Sequence, residues 1–143
     1  MSWYQKEITL KPRTRGFHLV TDEILDHLPE IRKIKIGIVY LLIKHTSASI
    51  TLNENYDPDV RSDMNKYFNK AVKENEPYYD HNSEGADDMP AHIKATIIGN
   101  SLTIPITNGK LNLGTWQGIY LCEHRNHGGS RKIVVTIFGE ESN

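Results

Sequence analysis

The run Ile36–Ile43 (IGIVYLLI) constrains this chain most, because it carries no charge and its β-branched residues favour extended backbone. Such a run, ended by Lys44-His45, predicts a strand covered on both faces. Lys6–Leu10 alternates polar and apolar residues and predicts a strand, and Gly16–Val20 predicts a short extended piece. Thr21 is placed to cap a helix running through Leu25 and Leu28 and stopped by Pro29. Asp57-Pro58 opens a clearer helix, on which Val60, Met64, Tyr67, Phe68 and Ala71 form one apolar stripe. Asp87-Asp88-Met89-Pro90 announces another, closed by Gly99-Asn100, with Met89, Ile93 and Ile97 expected on its buried side and His92 beside them. Between the two helices, Asn75–Gly85 is polar and aperiodic, a loop long enough to be functional. Ser101–Ile106, Gly118–Glu123 and Lys132–Phe138 read as strands, with Asn108-Gly109 as a hairpin turn. Strands at both ends with helices between them make the fold class α+β, and nothing divides residues 1–143 into more than one domain.

Charge excludes some functions. Seventeen basic side chains against 18 acidic ones leave a net charge of −1, which supplies no general field for a nucleic acid. The basic clusters Arg13-Thr14-Arg15 and Arg32–Lys35 are short, flanked by acids, and read as solvated surface. No apolar run approaches the ~20 residues of a membrane span, and the first residues lack a signal peptide's apolar stretch, so a cytoplasmic location is expected. The single cysteine, Cys122, permits no intrachain disulfide. Its apolar strand suits an inert buried thiol, while His124, two residues on, shares its face and leaves a catalytic thiol open.

Three of the seven histidines stand in polar company: His45 before Thr46-Ser47, His81 in Tyr79-Asp80-His81-Asn82, and His92. Acids accompany them at Glu54, Asp57, Asp63, Glu84, Asp87 and Asp88. Histidines and carboxylates can hold a divalent ion, but no His-x-x-x-His or Cys-x-x-Cys pair reinforces that reading. Backbone-bonded or solvated histidines fit equally. Ser47 and His45 would share a strand face, yet no nucleophile elbow is present and a serine hydrolase is not expected. In His124–Arg131 the glycines Gly128 and Gly129 permit a turn whose amides, with Ser130 and Arg131, could grip an anion. The same glycines would serve a plain hairpin between the last two strands. Trp116 reads as core, with a stacking role for a heteroaromatic ring as the alternative.

Taken in order, His45-Thr46-Ser47-Ala48-Ser49, Leu52-Asn53-Glu54-Asn55, Asp57-Pro58, Glu84–Asp88, His92-Ile93-Lys94, Gly114–Gly118 and His127–Arg131 resemble the motifs of the YjbQ-like, or secondary thiamine-phosphate synthase, family, and most of all its enterobacterial branch. The resemblance implies a single-domain sandwich of mostly antiparallel strands with two or three helices, assembled as a homotrimer with polar sites near the subunit interfaces. It also implies a transferase joining hydroxymethylpyrimidine diphosphate to thiazole phosphate with release of pyrophosphate. On that expectation Gly128, Gly129, Ser130 and Arg131 hold the diphosphate, Ser47, Asn53 and Gln117 contact substrate, and His45, His81 and His92 act in catalysis. Glu84 and Asp88, with His81 and His92, would hold a divalent ion, magnesium or zinc. A metal-assisted hydrolase of a small phosphorylated metabolite, or a non-catalytic trimer binding an anion or metal, are the alternatives. Many relatives carry aspartate after the first loop histidine; here it is Asn82, an amide that binds metal more weakly and cannot act as a base.

Overall fold

Hydrogen-bond pairing sorts the strands into two antiparallel sheets, packed face to face through their apolar sides. The structure, a computed structural model, describes residues Met1 to Asn143. In chain order the elements are β1 (Ser2–Leu10), β2 (Gly16–Leu19), α1 (Thr21–Asp26), a 3-10 turn (Pro29–Lys33), β3 (Ile34–Ile43), β4 (Ala48–Glu54), α2 (Pro58–Ala71), α3 (Asp88–Ile98), β5 (Ser101–Thr107), β6 (Lys110–Leu111), β7 (Gln117–Glu123) and β8 (Arg131–Glu141). The larger sheet has the order β1-β8-β3-β5-β6 and the smaller β2-β7-β4. This is the α+β sandwich the chain was expected to form.

The main core lies between the sheets. Val39, Leu41 and Ile43 of β3, Ile133, Val135 and Ile137 of β8, and Ile104 and Ile106 of β5 meet Ile50, Ile119 and Leu121 from the smaller sheet. Alternation fixes which side chains enter: in β3, Leu41 faces inward while Ile38 and Tyr40 face out. The expectation that Ile36–Ile43 is covered on both faces is therefore corrected, since Ile36 remains 60% exposed. β7 is the doubly covered strand, buried from Gly118 to Glu123, because α2 and α3 lie over the far side of its sheet. That second layer buries Phe17, Tyr120 and Cys122 under Met64, Phe68 and Ile98.

Local chemistry explains most boundaries. Asp57 caps α2 by accepting from the Asp59 amide (2.9 Å), with Pro58 in the first turn. Asn108 and Gly109 have φ of 50° and 78°, the left-handed pair that a tight β5–β6 hairpin needs. Thr21 does not cap α1: it is the first helical residue, its hydroxyl accepts from the Ile119 amide (2.9 Å), and the helix ends at Asp26. Tyr67 points outward from the α2 stripe. On α3 the inward residues are Asp88, Ala91 and Lys94 rather than Met89, Ile93 and Ile97. No hairpin joins the last two strands either, because β7 and β8 belong to different sheets and His124–Ser130 crosses between them. No helix is long and apolar enough to cross a membrane.

Candidate functional site

The first turn of α3 and the loop before it bring His81, Asp88 and His92 together, with donor atoms all within 4.8 Å of one another. Asp88 Oδ2 lies 2.6 Å from His81 Nε2 and 3.1 Å from His92 Nε2. Glu84 Oε2 stands 3.2 Å from His81 Nε2 at the solvent edge. The other Asp88 oxygen accepts from Arg125 Nη1 (2.5 Å), whose guanidinium also donates to Asp87 Oδ2 (3.1 Å) and to the Glu84 carbonyl (2.9 Å). Asp88 and His92 sit four apart on one helix, so they face the same way. Beside them a polar cleft of about 320 Å³ is lined by His81, Asn82, Glu76, Tyr79 and Gly85.

Tautomer logic gives this cluster its chemistry. His92 Nδ1 lies 2.9 Å from the Thr46 carbonyl, which can only accept, so Nδ1 carries a proton. A neutral His92 then turns a bare lone pair at Nε2 toward Asp88 Oδ2, itself an acceptor. Two lone pairs at that separation need a cation between them, either a proton on the ring or a metal ion. A tetrahedral site with ligands at ~2.0–2.1 Å sets donors ~3.3 Å apart, near the separations found here. The carbonyl-bound Nδ1–H is also the usual outer support of a metal-binding histidine. The donor set of two imidazoles and one carboxylate suits a zinc-type ion better than magnesium, which prefers oxygen throughout.

Electrostatics agree with the geometry. Burial opposes ionisation of Asp88, but the His81 hydrogen bond and the charges of His92 and Arg125 outweigh it and hold the carboxyl below its usual range. The Asp88 hydrogen bond in turn raises the His81 pKa.

His45 and Arg131 form a separate cluster. Arg131 is 4% exposed, donating from Nε and Nη2 to Glu123 (2.8 and 2.6 Å) and from Nη2 to the Ser47 carbonyl and hydroxyl (3.2 and 3.1 Å). Its Nη1 lies 3.2 Å from His45 Nδ1, and His45 Nε2 accepts from the Lys132 amide (2.8 Å). Burial and then the Arg131 charge push the His45 pKa down, so the ring is neutral and held between strands. A Cβ on Gly128 would come 2.5 Å from Glu123 Oε1, so that glycine makes room for the ion pair. With a carboxylate beneath the turn and the guanidinium occupied, Gly128, Gly129 and Ser130 do not form the expected anion cradle with Arg131. Gln117 Oε1 accepts from the Gly114 amide (2.8 Å) and Asn53 Oδ1 from the Glu54 amide (2.7 Å). Asn53 lies on β4 beside Ile98, at the opposite end of α3 from Asp88, about 15 Å of helix away. His81, His92, Asp88 and Glu84 thus converge; His45, Ser47 and Arg131 sit together elsewhere; Asn53 and Gln117 join neither.

Arg125 is the functional residue that sequence reasoning missed. Its acids lie 37 and 38 residues away, and no local spacing announces the pairing. A second omission is Ser49 with His124, whose Oγ and Nε2 lie 2.7 Å apart beneath the helices. Burial, with the charges of Lys94, Arg131 and Arg15, takes the His124 pKa down to about 3. The Cys122 thiol is pushed up to about 12 by burial and is inert. Trp116 is corrected from core to surface: it is 61% exposed and stands 5.5 Å, centroid to centroid, from Tyr56.

Residues 6–140 match the family model described as UPF0047 protein YjbQ-like. The chain is 56% identical to UPF0047 protein YjbQ of Escherichia coli O157:H7, across 96% of this chain and 99% of that one. It is 37% identical to a UPF0047 protein of Methanocaldococcus jannaschii, covering 84% and 88%. Among solved structures, a YjbQ/UPF0047 family protein from Clostridium acetobutylicum superposes with a TM-score of 0.81 at 38% identity, covering 93% and 99% of the two chains. A YbjQ-like protein from Sulfolobus solfataricus gives a TM-score of 0.82 at 27% identity, covering 97% and 99%.

Proposed function

The chain belongs to the UPF0047 YjbQ-like family, and from that premise we propose that it is a metal-dependent enzyme acting on a small phosphorylated metabolite at His81, Asp88 and His92. The observation that carries this reading is the pair of facing acceptors, His92 Nε2 and Asp88 Oδ2, with His81 Nε2 beside them. His81, His92 and Asp88 would hold the ion, with Glu84 at its open side. A divalent ion there supplies positive charge for oxygens that become negative as a phosphate ester or diphosphate departs. Arg125 keeps Asp88 ionised and aimed, and Glu84 is placed to take or give a proton at the cleft. The transfer that the family resemblance implies breaks the bond between the pyrimidine methylene and the diphosphate and forms one to the thiazole nitrogen, releasing pyrophosphate. Hydrolysis, with water in place of the thiazole, is the second reading. It is favoured by the cleft of about 320 Å³, which lies at the small end of ligand pockets and holds one organic substrate more readily than two.

Zinc titration of the metal-free protein should find one tight site per chain, weakened at least about tenfold in Asp88→Asn. Because a proton on His81 competes with the ion and its pKa is raised, affinity should climb as pH rises through and above the ordinary histidine range. Pyrophosphate release that requires thiazole phosphate identifies the transferase, and phosphate release without it identifies the hydrolase. A wild-type chain that binds no divalent ion would sink the proposal. We propose in addition that the outer face of the larger sheet, where Trp3, Ile36, Ile38 and Tyr40 are exposed, is the contact of the implied homotrimer.

A further inference from the structure

Along β4, the side chains facing the helices are polar where a covered strand face is ordinarily apolar. Ser49, Thr51 and Asn53 alternate with Ala48, Ile50 and Leu52, which enter the main core. Ser49 is satisfied by His124. Thr51 and Asn53 instead line a cleft of about 240 Å³, walled by Phe17, Met64, Phe68 and Ile98, with Tyr120 on the neighbouring strand. With its Oδ1 taken by the Glu54 amide, the Asn53 Nδ2 donors meet no acceptor in the chain. The Tyr120 hydroxyl donates to the Glu54 carbonyl and accepts from Arg61. Arg61 Nη1 is buried and has no hydrogen-bond partner.

That last atom carries the argument. A buried cationic N–H without an acceptor is costly, and native interiors rarely tolerate one. Here it sits against Tyr120, at an apolar cleft whose one amide also lacks an acceptor. Donors are in surplus, acceptors are missing, and the walls are aromatic and aliphatic. The volume falls below the ~300–1,000 Å³ of drug-sized pockets, enough for a single ring with short substituents.

We propose that this cleft binds a small aromatic carboxylate, its ring against Phe68 and Met64 and its carboxylate directed to Arg61 and Asn53. The inference goes beyond the metal centre and does not rest on it, since the length of α3 separates the two.

The test uses the full chain, with chelator present, and benzoate as probe, followed by amide resonances and calorimetry. Saturable shifts at Thr51, Asn53 and Ile98 are expected. Benzyl alcohol, which lacks the charge, should bind at least about tenfold more weakly, the loss of one charge-assisted bond. Arg61→Gln should weaken benzoate to a similar extent, and Met64→Trp should abolish binding by filling the cleft, both with unchanged far-ultraviolet dichroism. Where a variant fails to fold, the comparison of benzoate with its alcohol decides. Equal binding of acid and alcohol, wild-type affinity in Arg61→Gln, or no saturable shift would overturn the proposal. So would cross-saturation showing that a second copy of the chain fills the cleft.

Discussion

Arg131 shows how much a residue's role depends on what else is buried with it. Its guanidinium neutralises Glu123, whose side chain is wholly enclosed, and reaches the loop carrying His45 and Ser47. Removing one partner strands the other charge, so Arg131→Ala should cost about 3–5 kcal/mol, read from urea unfolding. A loss below about 1 kcal/mol would mean that the pair is not buried in solution. Lys94 presents the opposite case: it is 2% exposed, its ammonium donates to Asn69 Oδ1 (2.7 Å), and no carboxylate lies within ion-pair distance. Burial, then the nearby Arg15 charge, lowers its pKa from 10.5 to about 8. Between those values the unfolded chain holds the proton more tightly, so stability gains from this group as pH rises from about 8 towards 10.5. Lys94→Met should therefore be more stable than wild type by about 1–3 kcal/mol near neutrality. The advantage should shrink through that window; a constant difference across it would refute the assignment.

Among the elements, α2 is the one whose ends are written locally. Asp57→Ala removes the oxygen that accepts from the Asp59 amide and should cost about 1 kcal/mol, measurable in the same unfolding series. α3 obeys a different rule. Its apolar stripe, Met89, Ile93 and Ile97, points away from the sheet, because the helix is rotated to direct Asp88 to Arg125 and His92 to the Thr46 carbonyl. Ala91 then supplies the close approach to the sheet, and Ile97 is left 60% exposed. Periodicity announces such a helix correctly and misassigns its face, since polar contacts from distant segments enter no hydrophobic pattern.

At the scale of the molecule, the outer face of the larger sheet is its most conspicuous unburied surface. Trp3 packs on Phe138 (centroids 4.0 Å apart), and across β3 the row continues through Ile36, Ile38 and Tyr40. A patch of this kind marks an assembly surface, so Ile38→Lys should convert the oligomer to a monomer in sedimentation, with little change in monomer fold. A wild-type chain that sediments as a monomer would remove that role. The strands, the α2 helix and its cap, the β5–β6 turn and the family were all legible in the sequence, because alternation, helical period and capping chemistry act over a few residues. The candidate site was legible in part: His81, His92, Asp88 and Glu84 could be picked as donors, but not joined into one centre or parted from His45 and Arg131. Only the tertiary structure brought Arg125 to Asp88, closed Arg131 onto Glu123, and sent the His124–Ser130 segment between sheets. Those outcomes depend on pairing across tens of residues, and the free energy of burying a charge beside its partner is absent from any local stretch of chain.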